Sequence, residues 1–436
     1  MNTVKFNSEK TLGRIKPMHG VNNGPITRAG TSNFDAFREA GIPFVRTHDA
    51  SLYAGYGGEH TIDIAAIFPD FDADVCDEAS YDFACTDKYI SEIQSVSETF
   101  YRLGTRLEHA VKKYHIYAPK DPFKWAQICE HIIRHYTEGW ANGFNYKMTY
   151  WEIWNEPDLY NKCWIGTDEQ FFELYTVASK HLKSCFPHLK IGGPAVTGPK
   201  KAYNEAFIKY AVENGAVLDF FSYHCYGTCP EDYVRRIGDV NTILDKYDIK
   251  CEKILNEWNY VRAWSGPDVT YGFRVQRSSK GGAFTASVIA ACQKADLDML
   301  MYYDARPTIW NGLFNDFNEK GKQYFALYFF NKLYEMGLET ESIVDGEKIY
   351  AISAKGEDGK NGFYIVTYND DDSAENEIEY SLEITGLSFP CKASFYLTDS
   401  QNDGALIKEE TLSADSYRVS LKTEKNSIVY IETETI

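Results

Sequence analysis

Two stretches of this chain place a glutamate where an apolar, strand-like run gives out. In Tyr150-Trp151-Glu152-Ile153-Trp154-Asn155-Glu156-Pro157 the strand stops at a proline, which leaves Glu156 at its end. In Ile254-Leu255-Asn256-Glu257-Trp258-Asn259 the run again ends in a glutamate beside a tryptophan. Two carboxylates at the mouth of one pocket are the minimal apparatus for breaking an acetal. One protonates the leaving oxygen, and the other attacks the anomeric carbon or activates water. A separation of about 5–5.5 Å gives retention of configuration, and one of about 6.5–9.5 Å gives inversion. Either glutamate alone reads equally well as a loop carboxylate; the repeated strand-end placement is what points to chemistry. The chemistry needs no cofactor.

The elements that must hold these residues follow from the alternation of short apolar runs with amphipathic stretches, which predicts an α/β fold with parallel strands. Candidate strands are a first one near Met18–Val21, then Phe44–Thr47, Thr105–Glu108, Tyr150–Trp154, Lys190–Gly192, Asp219–Tyr223, Lys253–Asn256 and Met299–Tyr303. Eight such units before about residue 337 imply a (β/α)8 TIM barrel, whose reactive groups belong at the C-terminal ends of its strands. Glu156 then ends strand four and Glu257 strand seven. Helix signals support the pattern. Thr31 is the expected cap of a segment ending at Gly41, and Thr167-Asp168-Glu169-Gln170 reads as a capping box for a helix that stops before Pro187.

Past Gly337 the pattern changes to short alternating strands, such as Gly362–Tyr368, Ser394–Thr398 and Ile428–Ile431, separated by Asn/Asp/Gly turns. The expected division is a catalytic barrel over residues 1–337 and a small C-terminal antiparallel β-sandwich over 338–436. The strand-like residues 1–16 are open to pairing with the latter. Residues 338–436 hold 21 acidic and eight basic side chains, most of the chain's net charge of −18. A solvated outer face explains that excess.

Composition excludes several classes. With 436 residues, 44% of them hydrophobic and 25% charged, the chain is an ordinary globular one. The acidic balance argues against nucleic-acid and anionic-membrane partners. No apolar run reaches the roughly 18 residues of a membrane-spanning helix, and the N-terminal residues lack a secretory h-region. Ten cysteines without framework spacing fit free thiols in a cytoplasmic protein. No metal is expected. His224, Cys225 and Cys229 lack zinc spacing, and the calcium-loop-like Asp70-Phe71-Asp72-Ala73-Asp74 has Val75 and Tyr81 where Gly and Glu are needed.

Trp154-Asn155-Glu156-Pro157 resembles the Asn-Glu-Pro motif of the retaining glycosidase clan built on (β/α)8 barrels. More specifically, the chain resembles glycoside hydrolase family 39, with β-xylosidases and α-L-iduronidases among its members, from about Lys16 to Gly337. The resemblance is carried by Lys16-Pro17-Met18-His19-Gly20-Val21-Asn22, Val45-Arg46-Thr47-His48, Asn155-Glu156-Pro157-Asp158 with Trp164 and Phe172-Glu173-Leu174-Tyr175, Ile191-Gly192-Gly193-Pro194, and Phe220-Phe221-Ser222-Tyr223-His224-Cys225-Tyr226. It implies that Glu156 is the acid/base and Glu257 the nucleophile. The first must then hold a proton near neutral pH and the second must stay ionised. It also implies that Asn155 bonds the sugar 2-hydroxyl, that His48 contacts sugar, that His224 lies near the acid/base or sugar, and that Tyr226 lies near the nucleophile. His224 and Tyr226 alternate along one strand and so face the same way.

Arg46 is placed either to pair with the nucleophile or to form a structural salt bridge. Trp164 and Trp310 are candidate walls for the apolar face of a sugar ring. Asp304 is a candidate for a sugar hydroxyl, at a point where the β-xylosidase pattern has a glutamate. The expectation is a retaining exo-glycosidase acting on short plant-type oligosaccharides, with β-D-xylosidase first. An α-L-arabinofuranosidase or another exo-glycosidase of the same family is the alternative, and a non-catalytic carbohydrate-binding protein is the alternative from a different class. The β-xylosidases of the family are often oligomers, which leaves a homo-oligomer open.

Overall fold

The computed structural model describes residues 2–28, 30–49, 61–198, 200–309, 312–388, 390–413 and 416–436. Trp310 therefore lies outside the described residues. Eight strands close into a barrel: Gly20–Asn22, Phe44–Arg46, Glu98–Leu103, Tyr150–Ile153, Lys190–Val196, Phe220–Gly227, Glu252–Tyr260 and Met299–Tyr302. Every neighbouring pair is parallel. The third strand departs from the expected Thr105–Glu108, which is loop. The strand lies just upstream and ends at Leu103, before Gly104, whose φ of +114° and close approach to Trp154 suit a residue without a side chain. Arg102 looks like a polar break in that run. In the fold it points inward and is held by Asp63 Oδ1 at 2.7 Å and the His48 carbonyl at 2.8 Å.

Local chemistry sets the helix ends. Asp121 accepts hydrogen bonds from the Phe123 and Lys124 amides and starts the helix Pro122–Glu138, which stops at Gly139 in the left-handed region. Thr167 and Gln170 form the expected reciprocal capping box for Asp168–Cys185. Thr31 does not cap a helix. It pairs in a two-residue ribbon with Thr27–Arg28, and the helix Phe34–Glu39 begins after Asn33.

Period-two alternation decides what fills the barrel. Phe100, Tyr150, Phe220 and Ile254, with Met299 and Met301, form an apolar plug near the N-terminal ends of the strands. Each such side chain contributes roughly 1.5–3 kcal/mol by its burial. Two residues further along the same inner faces stand Arg102, Glu152, Ser222 and Asn256, and then His224. The interior therefore changes from apolar to polar toward the C-terminal mouth.

The remaining strands form a nine-stranded sheet that is antiparallel except where Asn2–Arg14 runs parallel to Glu377–Thr385; the other edge of Asn2–Arg14 pairs antiparallel with Leu338–Asp345. The expected strands lie within Asn361–Thr367, Cys391–Thr398 and Ser427–Thr435, apart from Tyr368, which follows the first of these. The sheet folds over its own core. Phe395 and Tyr417, from strands near opposite ends of its order, have ring centroids 6.2 Å apart. It docks on the barrel through the helices Ser279–Lys294 and Lys322–Met336, where Phe329 stacks on Tyr430 at 5.0 Å. Among the described residues no helix is long and apolar enough to cross a membrane.

Candidate active site

Glu156 and Glu257 meet at the C-terminal mouth. Each offers an oxygen within 4.8 Å of the other's and of His224 Nδ1. Two backbone irregularities put them there. Glu257 does not end its strand, which continues to Tyr260. Instead the register slips at Asn256, where Leu255 faces Tyr223 but Glu257 faces His224. This bulge lets two successive side chains turn inward: Asn256 donates to Glu152, and Glu257 reaches Arg46. On the fourth strand's exit, Trp154 and Glu156 have φ of +74° and +48°, a left-handed conformation that is costly for residues with side chains. It is held by hydrogen bonds from the Glu156 amide to the Ala195 carbonyl and from the Trp154 amide to the Leu103 carbonyl.

Arg46 ties the floor together. Its Nε donates to Glu152 at 2.7 Å, Nη2 to Asn155 Oδ1 at 2.8 Å, and Nη1 to Asn22 at 3.0 Å and to Glu257 at 3.3 Å. It thus makes both of the contacts that the sequence left open, pairing with Glu257 and forming a buried structural salt bridge to Glu152. The remaining Glu152 oxygen accepts from Ser222 and Asn256, so this buried carboxylate is fully satisfied.

The two glutamates occupy unlike surroundings. Glu257 is 7% exposed and accepts from Arg46 and from the Tyr226 hydroxyl, with His48 Nε2 at 3.7 Å. Glu156 shares a 2.8 Å hydrogen bond with His224 Nδ1 and accepts a longer one from the Cys163 thiol. Burial, reinforced by the like charge of Asp158, pushes the Glu156 carboxyl up to about 7. Burial lowers His224 to about 4, so it is neutral at neutral pH. Its Nε2 has no hydrogen-bond partner among the described residues.

His48 lies beside the pair. Its Nδ1 is 2.9 Å from Asp49, which also accepts from the Tyr303 hydroxyl and from Arg306. Two expected contacts fall elsewhere. Trp164 is fully buried, edge-on to Trp154 and Phe171, and its indole N–H donates to the Thr167 carbonyl; it is core and not a wall. Asp304 is likewise fully buried, and its Oδ2 is taken by Arg306 at 2.7 Å. That ion pair occupies the carboxylate that the sequence offered to a sugar hydroxyl.

Several participants are not among the site residues expected from the sequence: Asn22, Asp49, Glu152, Cys163, Asn256 and Arg306. A charged residue inside an apolar strand run was a usable signal for Glu152. The others depend on partners distant in sequence. For metals, Glu156–His224–Glu257 and Glu130–His181–Cys185 are the groupings with ligand spacing among the described residues. In each a carboxylate already has a fixed cation, Arg46 for Glu257 and Arg134 for Glu130.

Comparison with known proteins agrees with this fold. The chain is 33% identical over 115 residues to a beta-xylosidase of Geobacillus stearothermophilus, a match taking in 26% of this chain and 22% of that one. It spans about a fifth of the length of the curated relatives it matches. In fold it is similar to a glucosidase from Croceicoccus marinus, with a TM-score of 0.82 at 23% identity, covering 100% of this chain and 99% of that one. A monomeric beta-xylosidase from Caulobacter crescentus CB15 follows at 0.74 and 15% identity, with coverage of 100% and 99%. The model of glycosyl hydrolases family 39 matches residues 62–261, the stretch that carries both Glu156 and Glu257, so that motifs, family model and fold agree in the chain's resemblance to glycoside hydrolase family 39.

Proposed function

We propose that this chain is a retaining exo-glycosidase that releases the terminal sugar of short oligosaccharides, with β-D-xylosides as its substrates. The observation that carries the reading is the pair of carboxylates. They approach within 4.8 Å through their oxygens, yet one rests on a buried guanidinium while the other is pushed up to about 7. A nearest approach of oxygens within 4.8 Å is compatible with direct attack by one carboxylate.

In the first step Glu257 attacks the anomeric carbon, and Glu156 gives its proton to the leaving oxygen. Arg46 and the Tyr226 hydroxyl hold the attacking carboxylate in place. With Arg46 on its Oδ1 and one amide N–H directed at Cys163 Sγ at 4.0 Å, Asn155 has its second N–H for the sugar 2-hydroxyl, a contact that strengthens in the transition state. Formation of the glycosyl-enzyme removes the charge of Glu257. Glu156 then takes a proton from the incoming water, and attack from the same face restores the original configuration. Neutral His224 accommodates both protonation states of Glu156 without adding a charge.

The choice of β-D-xylose is supported by the similarity to a beta-xylosidase over 115 residues. The test is initial rates on aryl glycosides (β-D-xyloside, α-L-arabinofuranoside, β-D-glucoside, β-D-galactoside and an iduronide) with the Glu257→Ala variant as blank. Turnover of the xyloside is the expected result. Turnover of another member alone replaces the sugar and keeps the mechanism. Silence across the panel contradicts the exo-glycosidase reading.

A further inference from the structure

Trp264 lies four residues beyond the end of the seventh strand and is 65% exposed. A single exposed apolar ring needs no explanation by itself, and what distinguishes Trp264 is what it touches. It is not a stray surface residue. Its ring meets Tyr226 edge-on, with centroids 5.0 Å apart and an interplanar angle of 80°. Tyr226 in turn donates its hydroxyl to Glu257. One aromatic contact thus links the attacking carboxylate to the rim.

The backbone that carries Trp264 is pinned from both sides by the C-terminal sheet. Asp370, just beyond the strand Asn361–Thr367, accepts from the Tyr260 hydroxyl at 2.8 Å and from Arg262 at 3.1 Å, with Lys280 Nζ at 2.9 Å. Arg262 lies over the Tyr271 ring at 4.0 Å, and Tyr271 donates to Asp372 at 2.7 Å. Residues on both sides of the loop tip are therefore held by a carboxylate pair from the accessory sheet. A rigidly mounted flat ring at the rim is what stacking on a sugar requires, since little ordering remains to be done on binding.

The site has a direction. The groups around Glu257 on its floor, Arg46, Asn155, His48 and His224, are all buried, so the sugar being cleaved lies inward. What leaves must project outward past Tyr226. We propose that Trp264 is the platform for the leaving group, a second sugar ring or an aromatic aglycone, and that Asp370 positions it through Tyr260 and Arg262. This rests on the retaining-glycosidase reading above and deepens it by assigning the leaving-group side.

A two-step mechanism separates this role from others. The leaving group is present while the glycosyl-enzyme forms and is absent while it is hydrolysed. Trp264→Ala is expected to lower kcat/KM for a disaccharide about ten-fold, the scale of one lost stacking contact. It should leave unchanged the hydrolysis rate of a glycosyl-enzyme formed from a dinitrophenyl glycoside, and lower glycosyl transfer to added sugar acceptors. Asp370→Ala should show the same split in weaker form, with Asp370→Glu partly restoring it. An equal loss in both steps overturns the proposal in favour of contact with the cleaved sugar. An unchanged disaccharide rate and acceptor transfer overturn it outright. Wild-type silence on every glycoside refutes the underlying reading, and the platform with it.

Discussion

Replacing Glu156 by glutamine should lower activity and raise stability, and the second effect should depend on pH. Burial raises this carboxyl from about 4.5 to about 7 in the folded chain. Between those two values the folded state keeps a proton that the unfolded state has released. Stability therefore falls as pH rises through that window and levels off above 7. The full span corresponds to about 3 kcal/mol, at 1.36 kcal/mol per pH unit. Only 13% of the side chain is exposed, so solvent screening is a small correction. Glutamine is uncharged at every pH and carries no such penalty. Relative to wild type, Glu156→Gln should gain about 2 kcal/mol more at pH 8 than at pH 5.5, or roughly 2 °C in melting temperature for a chain of this length. Its kcat/KM on a glycoside with a poor leaving group should fall by about 10²–10⁴, the usual value of a positioned acid. The wild-type kcat/KM should itself drop tenfold per pH unit above about 7, as the acid form is depleted. Melting curves at the two pH values, steady-state kinetics of the variant and a wild-type pH–rate profile measure the three effects. A glutamine variant whose stability gain is identical at pH 5.5 and 8 would refute the claim that buried Glu156 holds a proton near neutrality.

Other outcomes follow from the same geometry. Arg46→Met strands Glu152 and Glu257 without their cation and should cost about 3–5 kcal/mol of stability, read from denaturant unfolding; a change under 1 kcal/mol would mean that the buried pair is dispensable. Tyr226→Phe removes one hydrogen bond to a charged group and should lower kcat about 10- to 100-fold with the fold intact, checked by steady-state kinetics alongside circular dichroism. Trp164→Ala should destabilise by about 3–5 kcal/mol, as expected of a core ring, while the enzyme that remains folded keeps its KM; a KM effect without loss of stability would restore the sugar-wall role.

The sequence disclosed the site where chemistry and topology are local. Glu156 and Glu257 stand at the ends of apolar runs in the sequence, and His224 and Tyr226 share one face of one strand, so the neighbourhood of the mouth was legible, although the inward turn of the two glutamates was not. It concealed whatever depends on distant partners. The third strand, expected at Thr105–Glu108, is Glu98–Leu103, and its inward Arg102 is accommodated only through Asp63, a partner 39 residues away in sequence. The bulge at Asn256 is a backbone event without a residue signature, yet it alone explains how two adjacent side chains both point inward. Trp164 and Asp304 have the residue types of a sugar site, but packing against Trp154 and pairing with Arg306 turn them into framework. Strand Asn2–Arg14 was legible as a strand, but its parallel pairing with a segment some 380 residues away was not.

The central claim is that Glu257 forms a covalent bond to the sugar. Its most direct test is to incubate the protein with a 2-deoxy-2-fluoro xyloside bearing a dinitrophenyl leaving group, and to locate the added mass by peptide mass spectrometry. The account predicts one fluoroxylosyl group per chain, on the peptide containing Glu257 and absent from the Glu257→Ala variant. A label on any other residue, or hydrolysis of the parent xyloside with inversion and no adduct, would contradict it.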